Sequence, residues 1–399
     1  MKIKKILKRL LQLHPKSIDL SLNRIKRLLK DLNNPEKKLS NTIQVVGTNG
    51  KYSFCSTLRE IFETAGYKVN LNVSPSIRKF NERYYFSGKY ISDERLYDLL
   101  KEVEEINKGK TITFHEFICA CFFLEASRNR ADVNILEAGL FFRLDASNVL
   151  EKNIASVVMP IGIDHKDFLK KGTIDEIVYE KCSHLLNDSK IFVSEQQISV
   201  FNKIKKNISN NSSKKIFFGK NFNYKKISKG FIYKDDLGEI KLPLPNLLGD
   251  FQISNVCSAI AVSRSLKKYK IKESHISKAI TKIKSEGRLQ KIVHGKLRNY
   301  VCKNNEILID GAHNTLAALK IKKYLKSLKK KNKIILVLGM MSNKDHKKFI
   351  QTLKNAIDSI VVLDIPNQIN SFKKEKLSKI ALSCGVPTKI ESSIKSAFK

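Results

Sequence analysis

No apolar run in this 399-residue chain approaches the length of a membrane span, which sets aside a helical membrane protein. No continuous apolar segment follows the basic start either: lysines interrupt residues 1–12, which read as an amphipathic first helix and not as a signal peptide. No C-x-x-C pair occurs. The seven cysteines (Cys55, Cys119, Cys121, Cys182, Cys257, Cys302, Cys384) are odd in number, scattered and mostly set in apolar helical patterns. That usage fits a reducing, cytoplasmic compartment. Acidic residues are scarce, 38 against 75 lysines and arginines, for a net charge of +37. Yet the excess contains no arginine-rich block and no regular basic–aromatic interleaving. Lysine is spread along nearly every segment, and the run from Lys322-Lys323 to Lys329-Lys330-Lys331 reads as a solvated helix face. A nucleic-acid partner, which would need a concentrated basic patch, is therefore disfavoured. A positive field that gathers small anionic substrates remains.

What is present is organised around one stretch. Residues 43–46 form a short β-prone run, and Gly47-Thr48-Asn49-Gly50-Lys51 is a tight turn. From Ser53 onward, Phe54, Leu58, Ile61 and Phe62 recur at helical spacing. A strand that feeds a glycine turn into a helix aims backbone N–H groups at one point, and a lysine at the helix start suits that point to phosphate. The general phosphate-loop pattern fails, because only two residues separate Gly47 from Gly50 and Tyr52 follows Lys51. The variant G-T-N-G-K-x-S fits, with Ser53 as the hydroxyl. The plain alternative is a strand–turn–helix corner, since Asn-Gly is a common turn pair.

The rest of the chain alternates strands and helices. Asp19 is placed to cap a second helix, Ser92-Asp93-Glu94 starts another, and Thr113-Phe114-His115-Glu116 opens an apolar one. Strands are expected at 68–73, 133–136 and 154–158, which indicates a mostly parallel, doubly wound sheet. Residues 190–241 change character: the short strands 215–218 and 230–233 with polar turns predict an antiparallel patch. After Gly249 a helix rich in Ala and Ser begins. The pattern resets near Gly287-Arg288, with strands expected at 306–309, 334–338 and 360–363, so the domain boundary falls at about 286. No internal repeat is visible.

In open α/β sheets ligands bind beyond the carboxyl ends of strands. Four apolar runs end in a group able to serve a nucleotide: the phosphate loop, Ser74, Glu137 and Asp164-His165. Magnesium takes oxygen ligands and shares the rest with substrate phosphates, a role that Glu137 and Ser74 suit. On this argument alone His165 is more simply a hydrogen-bonded core or surface histidine. Lys181 is one solvated lysine among many.

Ten short motifs in order then carry a resemblance over nearly the whole chain. They run from Gly47-Thr48-Asn49-Gly50-Lys51 and Ser74-Pro75 through Phe80-Asn81-Glu82-Arg83, Ile91-Ser92-Asp93, Arg143-Leu144-Asp145-Ala146-Ser147-Asn148 and Asp164-His165. Glu180-Lys181, Gly287-Arg288, Asp310-Gly311-Ala312-His313-Asn314 and Gly339-Met340 with Lys344-Asp345 complete the set. The sequence resembles the folylpolyglutamate synthase/dihydrofolate synthase group of the Mur ligase superfamily. That resemblance implies a P-loop-type, mostly parallel, doubly wound N-terminal domain (1–286, with folate-site helices at its start). A second, smaller Rossmann-like α/β C-terminal domain (287–399) follows. It implies a monomeric ATP-dependent amide ligase that activates a carboxylate as an acyl phosphate, to be attacked by the amino group of L-glutamate. The carboxylate belongs to dihydropteroate or to the glutamyl tail of tetrahydrofolate.

By resemblance, Gly47, Thr48, Asn49, Gly50, Lys51, Tyr52 and Ser53 cradle ATP, joined by Asn255, Arg288 and Asp310. Ser74, Glu137 and His165 become ligands of Mg2+, with two ions expected, and Lys181 matches a carbamylated lysine that serves the second. His313, with Lys51 and Lys181, joins the catalytic set. Asp19, Leu20, Phe114, His115 and Glu116 resemble pterin-side elements, and Arg143 and Asp145 are further substrate-side positions. Departures from the family pattern are Tyr52 for a glycine, Phe141 and Phe142 for two glycines beside Glu137, and Lys166 after His165. The chain also ends at Phe398-Lys399, before a strand and G-S motif usual in the family. Two alternatives stay open: tail extension alone, and a non-catalytic relative.

Overall fold

The structure, a computed structural model, describes residues 2–16, 18–329 and 332–398. Ser17, Lys399 and the Lys330-Lys331 end of the basic run lie outside the described residues. The chain divides into two compact units. One comprises Met1–Ile161, Asp175–Asn246 and Ser254–Lys284, the other Gly162–Ile174, Leu247–Ile253 and Ser285–Lys399. Among the described residues no helix is long and apolar enough to cross a membrane.

The first unit is built on β1 (Thr42–Val46), β2 (Val69–Asn72), β3 (Tyr84–Phe86), β4 (Lys89–Tyr90), β5 (Val133–Glu137), β6 (Ala155–Val158), β7 (Lys190–Val193) and β8 (Lys214–Phe217). Their order is β4-β3-β2-β5-β1-β6-β7-β8, with every pairing from β2 to β8 parallel and β3–β4 an antiparallel edge. Every residue of β1, β2, β5 and β6 is buried, as a sheet covered on both faces requires. Polar residues in such strands need partners. Gln44 finds them, donating to Ser147 O at 2.9 Å and accepting from Asn153 Nδ2 at 2.7 Å. Because β1 lies between β5 and β6, the chain leaves it towards β2 on one side and returns later to its other side. That reversal opens a crevice at the carboxyl end of β1.

The helix signals hold where their chemistry is local. Ser92 caps the helix Asp93–Asn107 by accepting from Arg95 N at 3.1 Å. Thr113 and Glu116 form a reciprocal capping box on the helix Phe114–Arg128. These two helices share one apolar cluster with Lys2–Leu10 and Asn23–Asp31, including Ile6, Leu28, Leu100 and Phe122. Two expectations fail. Asp19 does not cap the second helix, whose N-cap is Leu22 without a side-chain bond; Arg24 binds the Asp19 carboxylate instead, at 2.8 Å. The expected strand 215–218 is β8, a parallel member of the main sheet, because it pairs with β7. The antiparallel patch is confined to the meander β9 (Phe222–Ile227), β10 (Gly230–Asp235) and β11 (Gly238–Leu242).

In the second unit β12 (Gln290–Lys291) pairs antiparallel with β13 (Leu308–Ile309). A separate parallel sheet holds β14 (Ile335–Leu338), β15 (Ser359–Val362) and β16 (Thr388–Ile390). The helices Thr315–Lys329, His346–Leu353 and Lys374–Ser383 belong to this unit, whose core gathers Ala318, Phe349, Ile360 and Leu377. The strand expected at 306–309 is shorter and joins β12, not the parallel sheet. β16 carries no sequence signal strong enough to have been anticipated.

Candidate active site

The loop after β1 is fixed by its two glycines. Gly47 has φ +146°, and a Cβ there would lie 2.8 Å from Met159 Cβ; Gly50 has φ +83°, and a Cβ would meet Asn255 Oδ1 at 2.6 Å. Neither position tolerates a side chain. Thr48 N and Asn49 N both donate to Pro160 O, at 2.9 and 3.1 Å, so these two groups anchor the loop to the chain beyond β6. The helix Lys51–Thr64 begins at once and puts the positive end of its dipole at the turn. Lys51 folds back over the loop, donating to Gly47 O at 3.1 Å, with Nζ 3.8 Å from Glu137 Oε1. Tyr52, half-buried, sits in the first helical turn.

Glu137 ends β5 with 4% of its surface exposed, and its Oε2 accepts from Ser74 N at 3.0 Å. A buried carboxylate beside a serine and a phosphate loop is a donor set suited to a hard cation. Among the described residues no group of three or more His, Cys, Asp or Glu is placed to hold a metal ion. Lys181, 3% exposed, is not a solvated lysine: it donates to Gly47 O at 3.0 Å and Leu140 O at 2.6 Å. The Phe141 ring centroid lies 5.4 Å from its Nζ. Phe141 and Phe142 are themselves buried, 1% and 0% exposed.

Two further networks surround this centre. Asp145 is wholly enclosed: Oδ2 accepts from Gly139 N at 3.0 Å and lies 3.4 Å from His115 Nε2, while Oδ1 accepts from Ser147 N and Oγ. Burial alone would raise the Asp145 pKa, but His115 and the hydrogen bonds hold it well below the carboxylate range. Burial likewise opposes charge on His115, and Cys119 and Asp145 outweigh it and raise the imidazole. The pair therefore stabilises the fold fully only above the unfolded Asp value and below the unfolded His value, between about pH 4 and 6.5. The His115 contribution is lost as pH rises through its raised folded value. His115→Gln is expected to cost most stability in that window, with the deficit shrinking at alkaline pH in urea melts; a pH-independent deficit would contradict the ion pair.

Arg143 grips Glu180 by two nitrogens, at 2.9 and 3.0 Å, and Arg24 bridges Glu116 at 2.9 Å and Asp19 at 2.8 Å. Phe114 and Glu116 thus share a neighbourhood with Asp19, and Leu20 adjoins it in the chain.

In the second unit Asp164 is the hub. Its Oδ2 accepts from His313 Nε2 at 3.1 Å and Asn314 Nδ2 at 2.9 Å, and its Oδ1 from Lys344 Nζ at 2.7 Å. These donors, with His165 nearby, outweigh burial and hold its pKa far below the usual value. His165 follows in a left-handed conformation, φ +53°, its N donating to Asp164 Oδ1. Asp310 accepts from Leu289 N and Ala312 N, beside Arg288; burial raises its pKa despite them. Within the first unit the structure brings Lys51, Ser74, Glu137, Lys181 and Asn255 to one loop. Asp164, His165, His313, Arg288 and Asp310 belong to the second. The strand-end position of Asp164 marks it as able to serve a nucleotide but not as a hub for His313, Asn314 and Lys344, and the sequence assigns no role to Lys344, Glu180, Arg24 or Arg83. Asp164, Lys344, Glu180 and Arg83 stand in recognised motifs, but only the fold supplies their partners.

A phosphate loop at the reversal of a parallel sheet, a buried strand-end carboxylate and a smaller α/β unit define a nucleotide-binding class of enzyme. Residues 45–263 match the Mur ligase middle domain, and residues 287–399 the glutamate ligase domain of Mur ligases. The dihydrofolate synthase/folylpolyglutamate synthase of Buchnera aphidicola subsp. Acyrthosiphon pisum is 31% identical over 358 residues, spanning 88% of this chain and 81% of that protein. The Escherichia coli K12 protein of the same name is 28% identical over 351 residues, spanning 87% and 78%. E. coli FolC in complex with DHPP and ADP superposes with a TM-score of 0.87 at 26% identity, covering 99% of this chain and 90% of that one. The chain belongs to the Mur ligase family, in its dihydrofolate synthase/folylpolyglutamate synthase branch.

Proposed function

We propose that this protein is an ATP-dependent ligase that adds L-glutamate to dihydropteroate and to the glutamyl tail of tetrahydrofolate. The observation that carries the reading is the loop Gly47–Ser53 with Lys51 Nζ 3.8 Å from buried Glu137. The names of the relatives and the DHPP and ADP of the E. coli FolC structure support it. Lys51 and the helix start hold the outer phosphates of ATP; Asn255, Arg288 and Asp310 bind the nucleotide. The acceptor carboxylate attacks the γ-phosphorus, the bond to the bridging oxygen breaks and ADP leaves. The glutamate amine then attacks the acyl carbon, loses a proton and expels phosphate. Because an anion attacks a polyanion, the site must supply positive charge and alignment. Mg2+ held by Ser74 and Glu137, with His165 as a further ligand, would offset phosphate charge. His313 serves the glutamate and acyl phosphate end.

The reading assigns the pterin side to Asp19, Leu20, Phe114, His115 and Glu116, which the Arg24 bridge between Asp19 and Glu116 supports, with Arg143 and Asp145 as further substrate-side positions. Carbamylation of Lys181 belongs to the same reading. A carbamate nitrogen keeps one hydrogen, so it would retain only one of the two carbonyl partners seen here. Purified protein with ATP, Mg2+, bicarbonate, L-glutamate and either acceptor is expected to release phosphate and form the glutamylated product. Release with tetrahydrofolate alone would restrict the activity to tail extension, and release with neither would sink the ligase reading.

A further inference from the structure

Arg83 closes the Phe80-Asn81-Glu82-Arg83 motif and has no part in the chemistry above. Its backbone is pinned to the end of β2: Arg83 O accepts from Val73 N and Asn72 Nδ2, both at 3.2 Å. Its guanidinium carbon lies 5.2 Å from the Phe80 ring centroid. Nε is sealed from solvent and has no hydrogen-bond partner, and among the described residues no carboxylate stands within ion-pair distance of the guanidinium. Arg24, Arg95, Arg128, Arg143 and Arg264 each grip an acid; Arg83 does not. Burial, the largest influence, lowers its basicity, with Tyr84, Cys119 and Glu137 close enough to oppose that.

A half-buried guanidinium with a sealed Nε and, among the described residues, no counter-charge is costly to fold, and an anion that arrives with a ligand would offset that cost. The neighbours say which. Phe80 packs edge-on against Phe114, with centroids 6.0 Å apart, and against Tyr84 at 6.1 Å. That aromatic group leads towards Glu116 and Arg24. Glu137 is the acid whose charge reaches the guanidinium; it is joined to Ser74 N at 3.0 Å, and Ser74 follows Val73, whose N–H holds the Arg83 carbonyl. An acceptor with an aromatic ring system at one end and a planar carboxylate at the other fits this line, and a guanidinium fork matches a carboxylate.

We propose that Arg83 binds the reactive carboxylate of the acceptor, between the Phe80–Phe114 aromatic pair and the buried Glu137, and aligns it for phosphorylation. This rests on the ligase reading above. The test is equilibrium binding of dihydropteroate and of its carboxamide analogue to wild type, Arg83→Gln and Arg83→Lys, with melting temperatures measured alongside. Wild type is expected to prefer the carboxylate by about 10- to 100-fold. Arg83→Gln should erase that preference, bind the carboxamide as wild type does, keep its affinity for ATP, and melt at the same temperature or higher. Arg83→Lys should recover part of the preference. If Arg83→Gln keeps the preference, or melts well below wild type, Arg83 is structural and the proposal falls while the ligase reading stands. If wild type binds neither compound and releases no phosphate with any acceptor, both fall together.

Discussion

Lys51→Ala is expected to lower kcat/KM for ATP-dependent phosphate release by about 100- to 1,000-fold, the range for removing one preorganised charge from a phosphoryl-transfer site. The expectation follows from geometry. Lys51 starts the helix at the glycine turn, and its Nζ lies between Gly47 O at 3.1 Å and Glu137 Oε1 at 3.8 Å. It therefore faces both the glycine turn, proposed to hold the outer phosphates, and the Glu137 carboxylate, proposed to hold the cation. Without it the attacking carboxylate, the phosphates and Glu137 repel one another with less to compensate. The loss should appear in kcat as well as in ATP affinity, because charge builds most in the transition state. Lys51→Ala should still fold, since both glycines and the Pro160 anchor of the loop are untouched. A variant that retains activity within about threefold of wild type would remove the loop from the mechanism, whatever its shape.

Lys181→Met has the second large effect, on two observables at once. Methionine replaces the unbranched stem of lysine, one atom shorter, but leaves Gly47 O and Leu140 O without their donor. Buried unsatisfied carbonyls cost about 1–3 kcal/mol each, so urea unfolding should shift clearly to lower denaturant. Activity should fall steeply too, because Gly47 begins the phosphate loop and Leu140 follows Glu137 closely in the chain. The chemical form of Lys181 is read separately. If the working form is the carbamate, wild-type activity falls when bicarbonate and carbon dioxide are removed, and acetate partly restores Lys181→Ala. If the working form is the ammonium, carbon dioxide has no effect, and small alkylammonium ions restore activity instead. Unchanged stability and activity in Lys181→Met would deny the residue either role.

Lys181 also shows where reading a sequence stops. In a chain with 75 basic residues, one more lysine on a helix carries no local mark. Its enclosure comes from the loops at the ends of β1 and β5, which lie far from it in sequence. Asp19 makes the same point in the other direction. Its position before a helix suggested a cap, but Arg24 and Glu116, 92 residues apart in sequence, draw it into an ion-pair network. Strand β8 carries the period and composition of a strand, but its place in the parallel sheet and not in the antiparallel patch depends on its neighbour β7.

The sequence by itself determined the elements whose causes are local. These are the buried β1 feeding a two-glycine turn, the capping of Asp93–Asn107 and Phe114–Arg128, the parallel sheet implied by alternating strands and helices, and the motif order that marks the family. Tertiary structure alone decided which charges meet. Glu137 with Lys51, Asp145 with His115, Asp164 with Lys344 and an Arg83 without an acid beside it among the described residues all depend on segments brought together from distant parts of the chain. Local propensity is set by neighbours a few residues away, whereas desolvation and charge pairing depend on what packs alongside, and no window along the chain contains that.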